Sequence, residues 1–116
     1  MHPHWLKKLS RDLSLEPYDQ DWGICNSDSS RLGEFLEYYR INQVQHPWEP
    51  EALAELIFQS AEDAVHAGEL SKTLQSELIE FISNNSEQFP LTAAYWADLE
   101  QDEWFVPRLL VGRMDA

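Results

Sequence analysis

The chain has a single cysteine, Cys25, only four glycines, and no long apolar run among its 116 residues. One thiol excludes an internal disulfide and fits a reducing compartment. No stretch reaches the roughly 18 to 20 apolar residues that cross a bilayer, and the opening MHPHWLKKLSRDL lacks the apolar core of a secretory signal. The reading is a soluble, cytoplasmic protein. Bases are also scarce: 8 Lys and Arg face 21 Asp and Glu, a net charge of −13. That charge repels phosphate backbones and lipid headgroups, so it argues against nucleic acid or membrane as a direct partner and favours a basic protein.

Catalytic motifs are missing as well. There is no phosphate-cradling glycine loop, no GxSxG turn and no GxGxxG. His2, His4, His46 and His66 lack the i, i+4 spacing of helical metal ligands, and read as surface histidines. Asp19 and Asp21 resemble the start of a calcium loop, but its required Gly and Glu positions hold Ile24 and Ser30. Cys25 has no flanking glycine turn or orienting third group to make it a nucleophile, and reads as a partly buried thiol. The adjacent pairs Glu62 with Asp63 and Asp102 with Glu103 point in different directions on a helix, which suits a solvated face better than acid–base chemistry. The sequence therefore points to a protein that is not an enzyme and needs neither cofactor nor metal.

What is present is a folded composition, 43% hydrophobic and 12% aromatic with five Trp. Val and Ile are sparse, while Leu, Ala and Glu recur at spacings of three and four, so the fold class is all-α. We expect one domain over residues 1 to 116, an antiparallel bundle of about four to five helices with short connections. A first helix spans 4 to 13, with Trp5, Leu6, Leu9 and Leu13 on one side. A connection over 14 to 30 is anchored by Trp22 and Ile24. Asp28, Ser29 or Ser30 caps a helix near 29 to 42 carrying Leu32, Phe35, Leu36 and Tyr39. The next helix starts at Pro50 and closes at Gly68, the residue best able to adopt left-handed backbone. Ser71 caps a third, with Leu74, Leu78, Phe81 and Ile82 on one face, ending at Asn84 and Asn85. Beyond Pro90 an Ala-rich helix covers 91 to 99, and Pro107 starts a short terminal one.

Charge is uneven along this frame. Between Ile41 and Pro107 stand ten Glu and three Asp against the single base Lys72. At about 100° per residue, Glu55, Glu62 and Glu69 fall within about 40° of Glu51, opposite Leu53, Leu56, Ile57, Ser60 and Ala64. Phe58 sits at the edge of that acidic stripe. Either another helix covers it, or it is an anchor for a partner steered in by the surrounding charge. The same logic covers Asp98, Glu100, Asp102, Glu103 and Trp104, interleaved with Tyr95, Trp96 and Phe105. The candidate partner-binding residues are thus Glu51, Glu55, Phe58, Glu62, Asp98, Glu100, Asp102, Glu103 and Trp104.

In size, charge and mixed acidic and aromatic character, the whole chain resembles the small, acidic, single-domain bacterial immunity proteins that neutralise a toxin, often a basic nuclease. The segments DWGICNSDSSRLGEFLEYY and AYWADLEQDEWF also look like parts of small bacterial proteins of no known activity. The resemblance implies steric and electrostatic blocking of a toxin, and it carries over no individual binding residue. The alternative is a helical adaptor or regulatory subunit.

Overall fold

The computed structural model describes residues 3–18, 20–99 and 105–114, and these contain seven α-helices and no strand. Local chemistry accounts for most of the boundaries. Helix α1 (His4–Leu13) ends where Ser14 turns left-handed at φ 56. The short α2 (Trp22–Cys25) interrupts the connection that follows, and Trp22 pins it by donating from Nε1 to buried Ser10 Oγ at 2.9 Å. Asp28 accepts from Ser30 N–H and opens a 3-10 turn (Ser29–Arg31) that leads into α3 (Leu32–Ile41).

Helix α4 (Trp48–His66) closes at Gly68, whose φ is 70, and α5 (Lys72–Asn85) is capped by Ser71 Oγ accepting from Leu74 N–H at 3.1 Å. A 3-10 turn (Ser86–Gln88) leads to α6 (Pro90–Ala97), which has Pro in its first turn. Last comes α7 (Phe105–Met114). Helix α4 starts two residues before the expected Pro50. Ile24, expected as an anchor, is 41% exposed, and the Cys25 thiol is exposed rather than partly buried, because α2 turns Trp22 and Gly23 inward instead.

The class is the expected one, but the arrangement is not a simple antiparallel bundle. Helix α4 lies at the centre and packs against α1, α2, α3, α6 and α7. A Cβ placed on Gly33 would lie 3.4 Å from Leu74 Cδ2, and the Tyr39 and Phe81 rings meet edge-on at 4.8 Å, so α3 and α5 run in the same direction. Helix α6 runs along α4, starting beside Glu51 and reaching Phe58 with Trp96. The core joins Leu9, Leu32, Phe35, Leu53, Leu56 and Ile57 to an aromatic cluster of Phe58, Phe81, Phe89 and Trp96. No helix among the described residues is long and apolar enough to cross a membrane.

Candidate functional site

The acidic stripe of α4 points into the protein. A helix N-terminus leaves several backbone N–H groups without partners inside the helix, and a carboxylate facing them supplies both an acceptor and the charge that suits the dipole. Three glutamates of α4 each do this for a different neighbour. Glu51 accepts from the Leu91 and Thr92 amides at 3.1 and 2.7 Å, at the start of α6. Glu55 accepts from the Gly23 and Ile24 amides at the start of α2. Glu62 accepts from the Phe105 and Val106 amides at the start of α7.

A fourth, Glu49, turns back to the loop before α4, where it accepts from the Gln45 and His46 amides, and it also accepts from Lys8 Nζ on α1 at 2.8 Å. Lys8 also donates to Asn42 Oδ1 at 3.0 Å, which ties α1 to the loop before α4.

Protonation follows from these surroundings. Burial pushes the Glu62 carboxyl up, opposed by the α7 amides and by His66, whose Nε2 is 3.3 Å from Oε2. Burial likewise raises Glu55, helped by Asp21 and opposed by the α2 amides. Glu49 differs: burial pushes it up, but Lys8 and the two amides outweigh that and hold it below its ordinary value.

This geometry corrects the expected partner surface on α4. Glu49, Glu51 and Glu62 are buried, Glu55 is half-buried, and Phe58 is 0% exposed among the rings of Phe81, Phe89 and Trp96. Phe58 is a core residue, the packing alternative weighed above. The reason is that α4 is covered on both faces, so its carboxylates meet backbone amides instead of solvent. In the second expected cluster, Tyr95 and Asp98 are exposed, Trp96 is core and Phe105 is half-buried. Glu100, Asp102, Glu103 and Trp104 lie outside the described residues. The adjacent carboxylates Glu62 and Asp63 do diverge, Asp63 accepting from Ser27 Oγ at 2.9 Å on the other side of the helix.

Exposed acidity lies elsewhere. Glu77, Glu80 and Glu87 are exposed on and after α5, and Glu37 is exposed on α3. Between these helices runs an open groove of about 500 Å³. Val44, 50% exposed, and the edges of the otherwise buried Leu36, Tyr39 and Phe81 provide its apolar surface. Glu77 and Glu80 stand on its wall and form no ion pair among the described residues, whereas Glu37 is engaged by Arg40. Sequence reading missed this groove because its two walls are more than thirty residues apart. The available signal was the i, i+3, i+7 series Glu77, Glu80 and Asn84 on α5. Among the described residues, no three His, Cys, Asp or Glu side chains converge as a metal site. Comparison with protein-family models, with curated proteins and with solved structures found no match.

Proposed function

We propose that this chain is a non-enzymatic, acidic protein-binding domain, and that its partner is a basic protein which it blocks in the manner of an immunity or inhibitor protein. The observation that carries this reading is the groove between α3 and α5, where Glu77 and Glu80 are exposed beside apolar surface and form no ion pair among the described residues. Exposed charge of one sign draws an oppositely charged partner into encounter, and adjoining apolar surface supplies the desolvated contact that slows dissociation. The net charge of −13 acts in the same direction. The blocking is steric and electrostatic and uses no cofactor.

The test begins with capture from the native lysate at low and high salt, identifying the retained proteins by mass spectrometry, followed by kinetics with the purified partner. The expected result is one basic protein bound one-to-one, with an association rate that falls steeply as salt rises and with the partner's activity inhibited. The paired substitution Glu77→Lys with Glu80→Lys should cut the association rate at least tenfold. Capture of neutral or acidic proteins only, or rates indifferent to salt, would refute the reading.

A second reading, a helical adaptor, is favoured by one feature. Leu91 and Tyr95, one turn apart on α6, are 60% and 61% exposed. An adaptor using that face would bind in a salt-insensitive way, lose its partner on Tyr95→Ala, and leave the partner's activity intact.

A further inference from the structure

The groove between α3 and α5 has a directed character that follows from the two helices running in parallel. Their carbonyl ends, at Ile41 and Asn85, lie toward the same end of the groove, and each helix C-terminus carries a partial negative charge. Arg40 in the last turn of α3 is held by Glu37, and the last turn of α5 contains no base. Glu77 and Glu80 add two full charges on the α5 wall. Arg40 and Glu37 line the opposite wall and offset each other, so the groove is electronegative along its α5 wall, beside Val44 and the edges of Leu36, Tyr39 and Phe81.

Side-chain amides line the groove near the helix C-termini. Asn85 Nδ2 donates to Phe81 O at 3.0 Å, and Gln88 Oε1 accepts from the Tyr39 hydroxyl, which leaves Asn85 Oδ1 and Gln88 Nε2 for other partners. Asn42, also on the groove lining, accepts from Lys8 with its Oδ1, while its Nδ2 is buried and has no hydrogen-bond partner among the described residues. A buried donor of this kind is uncommon, because it forfeits its hydration without a replacement. It lies out of reach of solvent, so the polar atoms the groove offers a ligand are Asn85 Oδ1 and Gln88 Nε2.

We infer that this groove takes an extended segment of the basic partner, with one lysine or arginine side chain laid over the apolar floor. Its stem covers Val44 and the edges of Leu36 and Phe81, its charge lies against Glu77 and Glu80, and a peptide carbonyl accepts from Gln88 Nε2. Long cationic side chains suit such a floor because their methylene stems bury while the head keeps polar neighbours. About 500 Å³ accommodates a few extended residues. The inference rests on the reading that the partner is a basic protein.

The test is a two-dimensional amide NMR titration of the full chain with a capped nonapeptide of Ser and Ala carrying one central arginine. A second peptide with citrulline at the centre keeps the shape and removes the charge. The expected result is shifts confined to residues 36–44 and 77–88, with affinity at least fivefold weaker for the citrulline peptide and for the Glu77→Gln/Glu80→Gln protein. That variant alters only exposed positions, and its melting curve serves as the folding control. Shifts centred on α6, no shifts at all, or equal affinity for both peptides would overturn the groove assignment. The two readings fail differently. If a basic partner binds the double variant as tightly as the parent protein, the groove is wrong and the binding reading stands. If no basic partner is captured at all, the binding reading falls regardless of the peptide result.

Discussion

Phe58 and Gly23 illustrate how much individual side chains contribute to this structure. Phe58 touches three other rings at centroid distances between 5.6 and 6.1 Å and is fully buried, so Phe58→Ala removes dispersion contacts and leaves a cavity the neighbours cannot close. We expect a loss of about 3 to 5 kcal/mol in denaturant unfolding, with partner affinity unchanged under conditions where the variant is folded. Leu56, also 0% exposed, should cost about 2 to 5 kcal/mol on truncation to Ala. Gly23 acts through close approach: a Cβ there would lie 2.6 Å from Leu56 N and 2.9 Å from Glu55 Cγ. The backbone of α4 cannot move aside without disturbing its own hydrogen bonds, so Gly23→Ala should push α2 off α4. A drop of about 1 to 3 kcal/mol is the expected reading, and an unchanged melting curve would show that α2 does not need that contact.

Helix α4 is the element on which the others are hung, and its carboxylates divide into two kinds by pH behaviour. Glu49 is held below its ordinary value, so its contribution is present above the unfolded-state value of about 4.3 and is lost as pH falls through the lower folded value. Glu62 is raised, so the sign reverses: stability is greatest with the group protonated, below about 4.3, and declines as pH rises through its folded value. At pH 7, Glu49→Gln should therefore destabilise by about 3 kcal/mol, as expected when a buried charge loses its partner and leaves Lys8 uncompensated. Glu62→Gln keeps an acceptor for the Val106 amide without the buried charge, and should melt as high as the parent or higher at pH 7. The difference between Glu62→Gln and the parent should close toward pH 4. Melting curves for both variants between pH 4 and 8 check the two signs together, and parallel behaviour would mean the surroundings assigned to one of them are wrong.

Taken whole, the molecule carries its charge with little local compensation. The exposed pairs Arg31–Glu34 and Arg40–Glu37 span single helical turns, and pairs of that kind contribute little. With a net charge of −13, self-repulsion opposes the folded state and is screened by salt. The melting temperature should rise by several degrees between about 0.02 and 0.5 M sodium chloride, while association with a basic partner slows over the same range. A melting temperature that fell with salt would show that ion pairs, not repulsion, dominate the surface. The opposed responses matter for the proposed function, because they separate weakened encounter from unfolding.

How much of this was legible beforehand depended on the distance over which each feature is encoded. The bounds of α1, the cap at Ser71, the turn at Gly68 and the core face of Leu53, Leu56 and Ile57 follow from neighbouring residues and helical period alone, as does the all-α class, while the structure chose Asp28 among the three caps the sequence offered at 28 to 30. The short α2 was missed because four residues carry no period. Helical period reports that Glu51, Glu55 and Glu62 share a side of α4, but it is silent about what covers that side. That was set when the starts of α2, α6 and α7, between 31 and 44 residues away along the chain, brought their unpaired amides to those carboxylates. The groove depends in the same way on α3 and α5 lying parallel across a central helix. A face polar in composition can therefore be interior in fact, because a buried carboxylate is tolerated wherever backbone donors replace the water it loses.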